Sequence, residues 1–198
     1  QTALNADYPM PIAETASTFC ETIIKKAALK SADAKDKLFI LENELCDCAQ
    51  VIVDIYSRYL FESRLIEKRQ EGPLSVEEIK DLMLEAQKEA YGHGLDHRYL
   101  HPYMWTWKPH YYEADYAFYN FPYAFGLLLA KGLYGLYQKQ GATFADTYEH
   151  FLSLTGKMSL EDVGKSVGID LQDPAFWQNS IDMIKDDIDL FEKLLKQL

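Results

Sequence analysis

The chain has 198 residues, 48% of them hydrophobic and 14% aromatic, which is enough apolar material for one packed core and too much for a disordered segment. Its 31 acidic residues against 20 basic ones leave a net charge of -11, which excludes nucleic acid as a partner, because binders of a phosphate backbone carry a basic footprint. Three cysteines (Cys20, Cys46, Cys48) form no disulfide framework, and Cys46 with Cys48 is too little for a zinc site, so reduced, buried thiols of a cytoplasmic protein are expected.

Taken in order, the opening QTALNADYPMP has neither the basic start nor the apolar run of a secretory signal, and Gln1 in place of a methionine reads as a piece of something longer. Tyr8-Pro9-Met10-Pro11 is an extended approach, since each proline biases the residue before it away from helical geometry. A first helix follows to about Leu29, with Ile12, Phe19 and Ile23 inward and Glu14, Thr18 and Glu21 on a polar stripe. From Ala34 to about Gln70 the pattern is again helical, with Leu38, Leu41, Leu45, Ile52, Ile55, Tyr59 and Ile66 on one broad face and length enough to bend or break once. Glu71-Gly72-Pro73 ends it. Ser75-Val76-Glu77-Glu78 is a capping box that opens a third helix, Val76 to Ala90, with Ile79, Leu82, Met83 and Ala86 inward.

Gly92 to Pro109 is a loop too long to be a simple connector. Asn120 caps the next helix, Pro122 sits early in it, and a leucine-rich run continues to about Gln140, where Gly141 stops it. Two short helices follow, Thr143 to Leu154 and one starting at Ser159 and closed by Gly168. Asp173-Pro174 caps a last helix whose buried face is expected to hold Phe176, Ile181, Ile184, Ile188, Phe191 and Leu195. No alternating strand pattern or internal repeat occurs, so the expected fold is all-α, a multi-helix domain of one core over residues 1–198.

Three stretches bear on function. His93, His97 and His101 have helical spacing, but Gly92, Gly94 and Pro102 argue against a regular helix there and no glutamate follows His93, so loop packing outweighs metal binding. Tyr116 to Tyr137 carries Lys131 as its only charge and approaches the length of a bilayer span, yet Asn120, Pro122 and three glycines suit a buried central helix better than a membrane. The densest stretch is HYYEADYAFYNFPYAFG, His110 to Gly126, which gathers one imidazole and five tyrosines around Glu113 and Asp115. Phenols stay neutral at pH 7 and donate hydrogen bonds, so tyrosines aimed at one point can hold a polarised oxygen without adding charge.

YPMPIAETASTFCE (Tyr8 to Glu21) and PHYYEADYAFYNFPYAFG (Pro109 to Gly126) together resemble the C-terminal part of oligoendopeptidase F in the M3 family of zinc oligopeptidases, and the similarity runs weakly over nearly all of the chain, including YGHGLDHRYLHPYMW and the closing DPAFW helix. The resemblance implies an all-α zincin helical fold and a cytoplasmic metalloendopeptidase that hydrolyses short oligopeptides. In that family, two histidines of an HExxH helix and a glutamate on the next helix hold zinc, and the matching glutamate is Glu14. Glu21 then corresponds to a residue that orients a zinc-binding histidine. His110 and the tyrosines are implied to hydrogen-bond the oxyanion of the tetrahedral intermediate and to position substrate, with Tyr123 the best match for the main donor and Tyr116 and Tyr119 both open for the second.

No HExxH occurs in these 198 residues. The expectation is therefore an inactive fragment beginning just downstream of that motif, with zinc weak or absent because one carboxylate is too few ligands, and with self-association possible through apolar surface left uncovered. The competing expectation is a helical peptide-binding or scaffold module without chemistry.

Overall fold

A computed structural model describes residues 3–197, which are 78% helical, with no strand among them. The all-α expectation holds. The described residues form eight α-helices in chain order: α1 Thr15–Ser31, α2 Ala34–Ala49, α3 Ile55–Arg69, α4 Val76–Tyr91, α5 Phe121–Gln140, α6 Phe144–Leu154, α7 Leu160–Ser166 and α8 Pro174–Leu195.

The contacts divide the chain into two compact units, Gln1–Asp47 with Phe125–Leu198, and Cys48–Ala124. The first has a core of Ile12 and Phe19, the α5 residues Leu129, Ala130, Leu133 and Tyr134, and Phe144, Phe151, Val163 and Ile169 from the segments that follow. Phe19 is ringed by aromatic contacts to Phe144 at 5.5 Å and Tyr148 at 4.5 Å. The second unit packs Phe61 of α3 against Leu82, Met83 and Ala86 of α4, all at most 2% exposed. The Phe61, Leu82 and Met83 side chains each contribute roughly 1.5–3 kcal/mol relative to exposure.

Local chemistry explains the helix ends. Asp33 Oδ1 accepts from the Asp36 N–H at 2.9 Å at the start of α2. The Ser75–Glu78 capping box forms as its sequence requires, and Asp173 accepts from the Ala175 N–H at the start of α8 with Pro174 in the first turn. Gly92 ends α4 with φ of 53°, a left-handed conformation that a side chain disfavours. Between α2 and α3 the helical backbone continues through a π-helical segment, Gln50–Asp54.

Several expected burials are corrected. Tyr59 and Ile66 are 50% and 42% exposed although Ile55, at helical spacing from both on the same helix, is buried; spacing groups the three on one face but does not tell how far along α3 that face is covered. On α8, Ile184 is buried, whereas Ile181, Ile188 and Leu195 form an uncovered row seven residues apart. Cys48 is buried as expected, but Cys20 and Cys46 are exposed; none of the three is in a disulfide.

Lys131, the lone charge of the leucine-rich helix, has no solvent exposure and donates to Glu44 at 2.7 Å. Glu44 also meets Lys25 at 2.7 Å, and Lys25 in turn meets Glu21 and Asp47. The charge is thus tied into a network inside the first unit. Among the described residues, no helix is long and apolar enough to cross a membrane.

Candidate active site

Glu14 lies at the entry to α1, exposed, with the Ser17 hydroxyl donating to its backbone carbonyl at 3.0 Å and to Oε2 at 3.3 Å. The chain reaches it through the turn Met10–Ile12, where Pro9 and Pro11 set the approach, and Ile12 anchors that turn in the core. Gly126 of α5 backs directly onto it: a Cβ added there would stand 3.2 Å from Glu14 Cβ and 3.6 Å from the Thr15 nitrogen. Glycine at this position lets the two backbones approach. Glu21, two turns along α1, is exposed and ion-paired with Lys25 at 2.6 Å.

In the second unit the aromatic stretch is a run of tight turns, Pro109–Tyr112 and Ala114–Tyr116, leading to α5. These turns bring His110, Tyr116 and Tyr119 around one open recess of about 220 Å³, together with Pro109 and Glu113. The Tyr119 ring lies edge-on to Tyr116 at 5.3 Å and to Tyr123 at 6.5 Å, and 6.1 Å from the His110 ring. Tyr112 and Tyr116 are exposed, but Tyr111 is folded inward, edge-on to Phe61, with its hydroxyl buried and without a hydrogen-bond partner. Burial and the nearby Glu62 carboxylate raise the Tyr111 phenol, so it stays neutral.

Two polar groups that the sequence did not single out hold this stretch. Glu62 of α3 is buried, and its Oε1 accepts from the Phe118 N–H at 2.8 Å. Phe118 has φ of 56°, costly for a residue with a bulky side chain, and the Glu62 contact fixes that turn. Burial pushes the Glu62 carboxyl above its ordinary range, against the pull of the Phe118 N–H.

The other group is a chain of polar contacts. Tyr91 donates to Asp54 Oδ1 at 2.7 Å, Asp54 Oδ2 pairs with Arg58, Arg58 Nη1 donates to Asn120 Oδ1 at 3.4 Å, and Asn120 Nδ2 lies 2.6 Å from His110 Nε2. Asp54 closes the π segment and Arg58 lies one turn later on α3; the i, i+4 acid–base spacing was visible in the sequence, but not what it faces. Burial, and then the positive charges of Arg58 and Lys108, lower the His110 imidazole below its ordinary range. Asn120, expected as a helix cap, directs its side-chain amide to Arg58 and His110.

The loop histidines do not converge. His97 Nε2 is 2.9 Å from the Gly92 carbonyl, His101 Nδ1 accepts from the Tyr103 N–H at 3.2 Å, and His93 is exposed.

The model of Peptidase family M3 matches residues 1–183. The chain belongs to peptidase family M3. It is 28% identical over 194 residues to the chromosomal oligoendopeptidase F of Lactococcus lactis subsp. cremoris, covering 97% of this chain and 31% of that protein. An oligoendopeptidase F homolog of Lactococcus lactis subsp. lactis is 25% identical, with 96% and 32% covered. Among solved structures, oligoendopeptidase-F from Enterococcus faecium superposes with a TM-score of 0.83 at 21% identity, over 99% of this chain and 37% of that one. A structure from Chlamydophila abortus gives the same TM-score at 25% identity, over 98% and 32%. The all-helical M3 fold follows, and the chain spans about a third of the length of the relatives it matches.

Proposed function

We propose that this chain supplies part of the catalytic apparatus of a cytoplasmic zinc metalloendopeptidase acting on short oligopeptides, and that it is inactive alone. The observation that carries the reading is the gathering of His110, Tyr116 and Tyr119 around one open recess in a chain of the M3 family. Phenol hydroxyls and a neutral imidazole in such a recess can donate hydrogen bonds to an oxygen that gains negative charge as a peptide carbonyl becomes tetrahedral. Tyr123 is the main oxyanion donor in this reading, and Tyr116 and Tyr119 are the two candidates for the second position.

The M3 reading calls for zinc, and Glu14 offers one exposed carboxylate that accepts from the Ser17 hydroxyl. Among the described residues no three histidine, cysteine, aspartate or glutamate side chains come together as a metal-holding group. The residues of this chain therefore do not fit a zinc ion by themselves, since such sites take three or four protein ligands. Glu14 is the one ligand the chain contributes, and the histidines and general base of HExxH come from outside these 198 residues. In this reading Glu21 orients one of those zinc-binding histidines.

Two further features support the reading. Free, exposed Cys20 and Cys46 suit a reducing compartment, and the uncovered row Ile181, Ile188, Leu195 supplies apolar surface through which the isolated chain self-associates. In the full-length peptidase, Tyr123→Phe is expected to lower kcat by about 10²- to 10³-fold, as loss of one oxyanion donor does. An unchanged kcat would remove Tyr123 from that role.

A further inference from the structure

The Arg58–Asn120 pair decides which nitrogen of His110 carries the proton. Arginine has donors and no acceptor, so the Asn120 atom that meets Arg58 Nη1 at 3.4 Å is the amide oxygen. The amide nitrogen must then face His110 Nε2, at 2.6 Å. That nitrogen is donor-only as well, so Nε2 has to present its lone pair. The proton of a neutral His110 is left on Nδ1, which has no hydrogen-bond partner in the protein among the described residues.

We infer that Arg58 and Asn120 are positioning residues that lock His110 as a neutral Nδ1–H donor. The anchoring runs deeper than one contact. Arg58 is 11% exposed in its side chain and is clamped by Asp54, itself 13% exposed, and Asp54 accepts from Tyr91 at 2.7 Å. Rotating the Asn120 amide would set its NH₂ against the guanidinium, donor against donor, so the orientation is set by a group that cannot lose its proton. Protonating Nε2 would likewise place two donors 2.6 Å apart. Of the charged groups facing the imidazole, Arg58 and Lys108 disfavour the imidazolium, whereas the Glu113 carboxylate on the recess wall acts the other way.

The consequence rests on the proposed peptidase role. A histidine whose Nε2 is occupied offers substrate an N–H from Nδ1 and no free base at Nε2. His110 therefore serves as a neutral donor toward a peptide oxygen and does not accept a proton through Nε2 while Asn120 is in place.

The test is ¹⁵N–¹H correlation spectroscopy of the ¹⁵N-histidine-labelled 198-residue chain at pH 7, with the His110 ring assigned by its loss in His110→Gln. The expected spectrum shows a protonated nitrogen at Nδ1 and an unprotonated one at Nε2. Asn120→Asp keeps the size and the Arg58 contact but offers Nε2 only acceptor oxygens, so the proton should move to Nε2 and the imidazole pKa should rise by about 1 unit or more. Arg58→Met should instead give a mixture of tautomers. A wild-type ring protonated on Nε2, or the same tautomer in wild type and Asn120→Asp, would overturn the inference. These readouts need no activity, so a tautomer as expected in a protein whose Tyr123→Phe variant keeps full kcat would sink the oxyanion role of Tyr123 and leave the positioning pair standing.

Discussion

The Lys131 ammonium, wholly shielded from solvent, is held 2.7 Å from Glu44, and Lys25 approaches the same carboxylate at 2.7 Å from α1. Three helices of the first unit thus share one carboxylate. Removing Glu44 leaves a buried ammonium uncompensated, whereas removing Lys131 leaves Glu44 with Lys25. Glu44→Gln is therefore expected to cost about 3–5 kcal/mol in urea unfolding, and Lys131→Met clearly less. Equal losses would contradict the shared-carboxylate arrangement.

The same group sets an acid limit. Burial alone would raise the Glu44 carboxyl, but Lys131 and Lys25 together hold it at about 2 against an ordinary 4.5. A depressed folded pKa means that the unfolded chain binds the proton first, so the contribution is complete above pH 4.5 and is lost as pH falls toward 2. Unfolding midpoints of wild type and Glu44→Gln should converge across that window, and a gap that stays constant would rule out the linkage.

Glu62 should behave in the opposite sense. Its folded carboxyl is raised by burial, so the folded chain takes up the proton first, and stability rises as pH falls from that raised value toward 4.5. A glutamine keeps an acceptor for the Phe118 N–H without the buried charge. Glu62→Gln is expected to be at least as stable as wild type at pH 7, with its advantage fading on acidification. A destabilised variant at pH 7 would show that the charge itself holds the Phe118 turn.

Gly126→Ala tests the seat of Glu14. In an open helix the change would stabilise by about 1 kcal/mol through propensity. Here the new Cβ meets Glu14 Cβ at 3.2 Å, and the expected result is a net loss of about 1 kcal/mol in urea unfolding. A gain would mean that the start of α1 yields freely and that Gly126 does not fix it.

What the sequence revealed, and what it hid, divides along the range of the interactions. Ser75 with Glu78, and Asp173 with Pro174, act within one turn, so their helices were legible to within a residue or two. The hidden features depend on register and distant partners. Tyr59 and Ile66 share helical spacing with the buried Ile55, and spacing does not tell how far along α3 that face is covered. Ile181, Ile188 and Leu195 have the spacing of core residues, and spacing does not tell whether a neighbour covers them. For the candidate site, the aromatic density pointed to His110 and its tyrosines, while Glu62 and the Arg58–Asn120 pair act across 56 and 62 residues of sequence and left no local mark.

Glu14 is proposed as the carboxylate this chain lends to a zinc centre. The direct measurement is zinc content, by plasma mass spectrometry after dialysis, of the full-length peptidase with and without Glu14→Gln, alongside Glu21→Gln as a neighbouring carboxylate change. The account predicts that wild type retains its zinc and that Glu14→Gln loses most of it while remaining folded. A Glu14→Gln protein that keeps the wild-type zinc content would contradict it.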